Sequence, residues 1–244
     1  MNSRQRFLAA LNGEPADHPP VFPLLMFFAA GRAGLTYRAF ASDGRALAEA
    51  QMAIHARYGV DAITACSDAF RLSADLGGAI VFPEASPPHL ARPLVASAAE
   101  IDLLGHPDPT EGRMGDRVRA VAAMARGVGE EVAVLGWVDM PFAEACACCG
   151  VSNFMLLLMD DPATAHRLLD RLTEHVIAFA LAQAEAGALM IGAGDAAASL
   201  IAAPMYAEFA LPYERRVCDA LHAAGCLVKL HICGDTRALL PLMA

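Results

Sequence analysis

An imidazole and a thiol lie two residues apart in "KLHICGDT", residues 229–236, near the end of the chain. Residues i and i+2 of a β-strand share one face, so His231 and Cys233 are expected to project together. Both are zinc ligands, with bonds of about 2.0–2.1 Å to nitrogen and 2.3 Å to sulfur. Three protein ligands leave one position open for a substrate, and a thiol bound there is deprotonated at neutral pH. Taken alone, however, such a pair is more often an ordinary core histidine beside an inert thiol.

Two aspartates and two residues at the end of a predicted strand are further candidates for the functional site. Asp68 in "CSDAF" and Asp195 in "GAGDAAAS" are candidate catalytic residues, with a helix cap or a turn as the alternative for each. The glycines before Asp195 let the backbone approach a ligand, and its carboxylate could orient an acceptor or a zinc-bound imidazole. Trp137 and Asp139 close another apolar run and are candidates for substrate binding, although core packing is the simpler role for Trp137. We expect Asp68, Asp195, His231 and Cys233 to line one cavity.

The remaining cysteines point to packing. The chain has seven cysteines, an odd number with no secretory signal before them, which favours reduced thiols or metal ligation over disulfides. The stretch "CACCG", residues 146–150, matches no zinc-ligand spacing, and in a helix its thiols point in different directions. We therefore interpret it as small, buried packing.

Apolar runs alternate with helical segments along the chain. Strands are expected near residues 21–28, 61–66, 132–138, 188–193 and 227–232. Helices are expected over 3–12 (capped by Ser3), 42–58 and 114–127, twice within 153–186, and over 204–225, with a hairpin or loop excursion over 77–95. This alternation indicates a parallel sheet covered on both faces. Polar residues at strand ends fit the active-site end of a (β/α)8 barrel, but a doubly wound open sheet also places its site there.

Two longer stretches resemble a known family. "RQRFLAALNGEPADHPPVFP", residues 4–23, resembles the opening of the uroporphyrinogen decarboxylase superfamily, whose members are barrels. Residues 194–236, from "GDAAAS" to "HICGDT", are more similar to its methyltransferase branch, which includes methylcobalamin:coenzyme M methyltransferases. The resemblance implies an α/β fold of the (β/α)8 TIM-barrel type, with 1–244 forming a single barrel domain. About five βα units are recognisable, so we expect the barrel to be incomplete, with its C-terminal strands missing.

The methyltransferase resemblance also implies a metal and partners. In that branch His-x-Cys supplies two zinc ligands, which here are His231 and Cys233, and a further cysteine lies well downstream. The implied activity is zinc-dependent transfer of a methyl group between a corrinoid (methylcobalamin) protein and a thiol or pterin acceptor. Zinc is then the cofactor, the corrinoid is the methyl carrier, and the corrinoid protein is the partner.

Two alternatives stay open beside methyl transfer. Asp68 matches the position of the decarboxylases' essential aspartate, which implies a carboxy-lyase acting on a tetrapyrrole and stabilising a protonated pyrrole. Arg32, within "AAGRAG", would then bind substrate carboxylates, although the Arg-Gln that precedes this arginine in the decarboxylases is absent. The third alternative is an inactive fragment that keeps only folding or partner binding.

Composition excludes other classes of function. The 244 residues carry 18 Lys and Arg against 27 Asp and Glu, a formal net charge of -9. This acidic balance argues against nucleic-acid binding, which depends on basic residues. The run "VFPLLMFFAA" is about half the length of a membrane-spanning helix. We therefore expect a soluble, cytoplasmic protein that acts on small molecules, with no membrane or nucleic-acid partner.

Overall fold

The structure is a computed structural model, and it describes residues 1–83 and 87–243. The strands are β1 (Ala62–Thr64), β2 (Ile80–Val81), β3 (His89–Leu90), β4 (Ala133–Asp139), β5 (Met190–Gly194) and β6 (Leu227–His231). The helices before β4 are α1 (Ser3–Leu11), α2 (Phe27–Arg32), α3 (Tyr37–Ser42), α4 (Gly44–Tyr58), α5 (Arg71–Asp75), α6 (Ala98–Leu103) and α7 (Gly112–Val128). Those after β4 are α8 (Pro141–Cys149), α9 (Val151–Asp160), α10 (Pro162–Glu185), α11 (Ala203–Phe209), α12 (Leu211–Ala223) and α13 (Leu240–Met243), with a 3-10 helix at Ala196–Leu200.

Four parallel strands form the central sheet in the order β1-β4-β5-β6. The register places Asp139, Gly194 and His231 side by side at the carboxyl ends of β4, β5 and β6. Among the described residues β6 does not pair with β1, so the sheet is open rather than a closed barrel. The predicted α/β class with a parallel sheet is confirmed. The predicted excursion contains the antiparallel hairpin β2–β3, and its residues 84–86 lie outside the described residues.

The strand expected at residues 21–28 does not form. Residues 21–26 belong to no strand, and α2 begins at Phe27. One backbone bond, from the Asp61 N–H to the Val21 carbonyl (2.8 Å), joins this segment to the chain entering β1. Pro23 has no N–H to donate two residues further on, which prevents a regular ladder. The prediction of five strands was therefore wrong by one.

Helix ends follow local side-chain chemistry. Asn2, not Ser3, caps α1: its side chain accepts a bond from the Gln5 N–H while the Gln5 side chain accepts one from the Asn2 N–H. The helix expected over 204–225 is broken into α11 and α12 at Ala210. Pro212 lies in the first turn of α12, where its missing N–H costs nothing, and a continuous helix would place it in the interior.

The sheet has two differently covered faces. Ile63, Val134 and Ile191 point to the large core formed with the helices. The opposite, inner face carries Ala62, Ala133, Leu135 and Met190, which pack on Phe7 and partly buried Phe22. Strand residues alternate between faces, so Trp137, Asp139 and His231 lie on the inner face above this small apolar floor.

The described helices give little sign of a membrane span. No single described helix is both long enough and apolar enough to cross a bilayer. Helices α8 and α9 together meet that measure by length and composition only, and they bend by 107° where they join.

Candidate active site

A cavity of about 680 Å³ opens at the carboxyl ends of the sheet strands. Its walls come from the strand ends, the loop after β1, α8 and the chain through hairpin strand β3. The polar and thiol groups in its lining include Cys66, Ser67, Asp68, His89, Arg92, Asp139, Cys146, His231 and Cys233. Most of the remaining lining is apolar or aromatic, including Met26, Phe27, Tyr37, Phe70 and Trp137. The cavity is therefore suited to a largely apolar ligand that meets a few polar groups.

His231 and Cys233 meet at the rim of this cavity. The Nε2 atom of His231 lies 3.4 Å from the Sγ atom of Cys233. Gly234, with a φ of +85°, turns the chain directly after them. Two such ligands of one tetrahedral zinc ion would be about 3.6 Å apart given the usual bond lengths. The pair fits two positions of a zinc site, although the described residues contain no group of three His, Cys, Asp or Glu side chains placed to hold a metal.

Trp137 owes its position to two glycines on the neighbouring strand. A Cβ atom at Gly192 would lie 2.4 Å from the Trp137 ring, and one at Gly194 would lie 3.2 Å from it. The indole thus lies over bare backbone, with its ring centroid 5.9 Å from that of His231. Trp137 is buried and also lines the cavity, and its part in substrate binding stays a prediction.

Asp68 is held as a fixed carboxylate. The Arg113 guanidinium donates to both of its oxygens at 3.0 Å, and the Ser67 hydroxyl donates at 2.7 Å. Burial by itself would raise the pKa of Asp68, but Arg113, with Arg71 and Arg117 behind it, holds that pKa well below its usual value. Asp68 therefore presents a permanent negative charge to the cavity.

Asp139 lies in a different environment at the end of β4. Burial raises the pKa of Asp139 to about 7, and the charge of Asp68 adds to the rise while Arg117 opposes it. A carboxyl group with a pKa near neutrality can both accept and donate a proton at physiological pH. The same cavity thus contains one fixed anion and one group able to exchange a proton.

Asp195 does not reach the cavity, which corrects the expected four-residue cluster. Its N–H bonds to the His231 carbonyl at 2.8 Å, so the chain stays in register with β6 for one residue beyond β5. That extra residue points to the helix-covered face, where Asp195 is fully buried next to Glu214. Burial and the Glu214 carboxyl raise the pKa of Asp195 well above its usual value. The other three members, Asp68, His231 and Cys233, do share the cavity.

Arg32 also lies outside the cavity lining. It is exposed and ends α2, which follows residues 21–26 where a strand was expected. The basic groups near Asp68 come instead from α5 and α7, as Arg71, Arg113 and Arg117. Arg113 and Arg117 are four residues apart on one helix, a spacing that places both on the same face and was readable in the sequence.

The "CACCG" stretch behaves as expected. Cys146, Cys148 and Cys149 are all buried on α8. Only Cys146 of the three reaches the cavity lining. Glu144, one turn earlier, is buried near Asp139, and no feature of the sequence had singled it out.

A parallel α/β sheet with a ligand-sized cavity at the carboxyl ends of its strands is found in barrel enzymes and in doubly wound open sheets alike, so the comparison with known proteins decides between them. The sequence profile of the family "Uroporphyrinogen decarboxylase (URO-D)" matches residues 2–244, and the chain belongs to this family. It is 31% identical over 235 residues to the uroporphyrinogen decarboxylase of Myxococcus xanthus, covering 90% of this chain and 66% of that protein. The corresponding protein of Aliivibrio fischeri (strain MJ11) is 29% identical over 232 residues, covering 88% and 64%.

A solved structure extends the comparison of folds. A methyltransferase from Methanosarcina mazei superimposes with a TM-score of 0.86 at 23% identity, covering all of this chain and 73% of that one. The likeness shows that the fold is similar to a TIM-barrel-type fold, although the sheet of the described residues is not closed into a barrel. The chain spans about two thirds of the length of these curated relatives.

Proposed function

We propose that this chain belongs to a zinc-dependent methyltransferase that moves a methyl group between a corrinoid, free or protein-bound, and a thiol or pterin acceptor. The observation that carries the proposal is the His231–Cys233 pair, 3.4 Å apart at the cavity rim. The similarity of residues 194–236 to the methyltransferase branch supports the same assignment.

Each side chain has a definite task under this proposal. His231 and Cys233 would hold zinc, which when bound supplies a Lewis acid that keeps a thiol acceptor deprotonated. The apolar wall that includes Tyr37, Phe70 and Trp137 limits the access of water to the acceptor. Asp68 lies in the cavity lining as an ionised carboxylate that Arg113 pairs with and holds in place.

The charge of the cavity argues against the decarboxylase alternative. A tetrapyrrole with several carboxylates requires several cations, but Arg92 is the one Lys or Arg in the lining formed by the described residues. Buried Arg71 and Arg117 and half-buried Arg113 already bond to protein oxygens. The names of the curated relatives and the position of Asp68 keep decarboxylation as the second candidate.

One pair of assays separates the two functions. With zinc in excess, methyl transfer from methylcobalamin to a small thiol is followed by the change in corrin absorbance. We expect His231→Ala and Cys233→Ala to lose at least roughly 100-fold in rate because the metal loses a ligand. Cys218→Ala, a half-buried thiol on α12 away from the cavity, is the matched control.

The same proteins are then given uroporphyrinogen. Decarboxylation that depends on Asp68 and survives Cys233→Ala, together with no methyl transfer by the wild type, would contradict the proposal and favour the decarboxylase. Methyl transfer that is unchanged in both zinc-ligand variants would also contradict it.

A further inference from the structure

Three aromatic rings, those of Phe27, Tyr37 and Phe40, form a stack beside the cavity. The Phe27 ring at the start of α2 lies on the Tyr37 ring at the start of α3, with centroids 3.8 Å apart and planes 14° apart. The Tyr37 ring is followed by that of Phe40, at 6.3 Å and 22°. Phe40 is fully buried in the core, whereas Phe27 is 47% exposed. The aromatic stack therefore begins in the core and ends on an open ring.

The middle ring of the aromatic stack is held in place at two points. The Tyr37 hydroxyl donates a hydrogen bond to the Ser67 carbonyl in the loop after β1. At the other end, Thr36 caps α3, and its hydroxyl oxygen accepts a bond from the Ala39 N–H at 3.1 Å. A ring that is fixed before a ligand arrives loses little conformational freedom when the ligand binds. Phe27 is thus backed by a preorganised surface.

The open face of Phe27 borders the cavity. Phe27 and Tyr37 both line it, and Tyr37 covers one face of the Phe27 ring, so the exposed part of that ring is available to a ligand. The cavity of about 680 Å³ is as large as pockets that hold drug-sized molecules. A small thiol would fill only part of this space. The cavity therefore has room for a ring system that stacks on Phe27.

The neighbouring Phe28 shows that exposure alone does not make such a surface. Phe28 is also 47% exposed, but it is not among the described residues that line the cavity. Its ring meets that of Tyr58 at 5.7 Å with the planes 54° apart, so no parallel ring backs it. Phe27 differs by its parallel partner and by its place in the cavity wall.

We propose that Phe27, backed by Tyr37, is a stacking subsite for a planar conjugated heterocycle. Flat π-systems bind well to an aromatic face that is already in place. The choice of heterocycle rests on the proposed methyl transfer, which offers two sources: the ring of a pterin acceptor and the heterocyclic base of the corrinoid. Phe27 is then a specificity-determining residue that contacts the ring, and Tyr37 is a positioning residue that acts through Phe27.

Binding of 6-hydroxymethylpterin tests the subsite without any assay of activity. The probe is fluorescent, and stacking on Phe27 should quench it. We expect Phe27→Ala to weaken binding roughly tenfold or more, because base-like rings lose their stacking partner. Phe27→Leu, which keeps apolar contact but not the flat face, should weaken it about threefold, and Phe27→Tyr should bind as the wild type does. Phe28→Leu is the matched control and should leave the affinity unchanged.

The corrinoid is tested in parallel by equilibrium dialysis, read by corrin absorbance. Methylcobalamin carries the heterocyclic base, and methylcobinamide lacks it. If the base is the ring that stacks, Phe27→Ala should weaken methylcobalamin roughly tenfold and leave methylcobinamide unchanged. The proposal is overturned if neither the pterin nor the base depends on Phe27, or if Phe28→Leu loses as much as Phe27→Leu.

The same proteins separate the subsite from the proposed function. Ring binding that depends on Phe27 in a protein that transfers no methyl group would leave the subsite standing and the proposed function refuted. Methyl transfer to a small thiol without any ring binding that depends on Phe27 would refute the subsite alone. Circular dichroism spectra establish that each variant is folded.

Discussion

Asp68 and Asp139 line the same cavity, yet their surroundings give them opposite protonation behaviour. Asp68 receives two charge-assisted hydrogen bonds from Arg113 and lies near two further arginines. Asp139 has one opposing cation, Arg117, which donates its bonds elsewhere. Two carboxyls whose environments separate their pKa values are typical of sites that need both a fixed charge and a mobile proton.

Replacement of Asp68 tests the fixed charge. Asp68→Asn should destabilise the protein by about 3–5 kcal/mol at pH 7, because it leaves the Arg113 guanidinium without its partner. The pKa of Asp68 is lowered by folding, so its contribution is present above the unfolded value, near 4, and is lost as pH falls toward the folded value. Urea denaturation of Asp68→Asn and wild type should therefore converge at acid pH. A difference that is the same at pH 7 and at acid pH would contradict this account.

Replacement of Glu144 tests a dependence of stability on pH that is opposite in direction to that of Asp68. Folding raises the pKa values of Glu144 and Asp139, so the stability linked to them is complete below pH 4 and is lost as pH rises through the folded values, about 7 for Asp139. Glu144→Gln removes one of the two titrating groups. We expect the stability of this variant relative to wild type to increase between pH 5 and pH 9. A constant difference in the urea midpoint across that range would show that folding does not raise the pKa of Glu144.

At the level of secondary-structure elements, the glycines of β5 leave the space that the Trp137 ring occupies in the cavity wall. Gly192→Ala places a methyl group 2.4 Å from the Trp137 ring, so the indole or the strand must move. We expect a loss of about 1–3 kcal/mol of stability, as for other overpacked cores. Urea denaturation gives this loss, and fluorescence of the single tryptophan reports the movement of the ring.

Two further variants test whether the loss of stability in Gly192→Ala comes from the clash between the added methyl group and the Trp137 ring. Gly31→Ala has nothing within 4 Å of the added methyl group and should not lower stability. The double variant Gly192→Ala, Trp137→Leu should lose less than the sum of its single changes, because the clash is absent. An additive result would show that the two residues do not compete for space.

The strands and helices also show how much of the fold and of the candidate site could be predicted from the sequence. Continuous apolar runs predicted four parallel strands because buried strands need apolar side chains on both faces. The fifth failed because prolines interrupt that apolar segment and lack the N–H groups that strand pairing requires. Asp195 was misplaced by a single residue of register, since strand alternation sends neighbours to opposite faces. The residues predicted from their types and positions near strand ends do line the cavity, and their roles stay predictions: His231, Cys233, Asp68 and Asp139. Glu144 was missed because helical neighbours, not sequence pattern, bring it toward Asp139.

On the scale of the whole molecule, the inner face of the sheet joins a small apolar floor to the cavity above it. The floor, with Phe7 and Phe22 on Ala133 and Leu135, holds the strands from below. The three arginines hold the loop after β1 against α7 from the side. Most of these supports come from the first 140 residues, α8 and β5 complete the walls, and the two candidate metal ligands come from β6 and the residues after it.

That distribution leads to a prediction about zinc. Catalytic zinc sites use three protein ligands and structural sites use four, but the described residues place only His231 and Cys233 together. The 244-residue chain should therefore bind zinc weakly, with an affinity that falls further in Cys233→Ala and in His231→Ala. Competition with a chromogenic chelator measures the affinity, and Cys218→Ala, outside the cavity, should bind as the wild type does. Tight, stoichiometric zinc that persists after Cys233→Ala would show that the metal is held elsewhere and that the pair at the cavity rim is not its site.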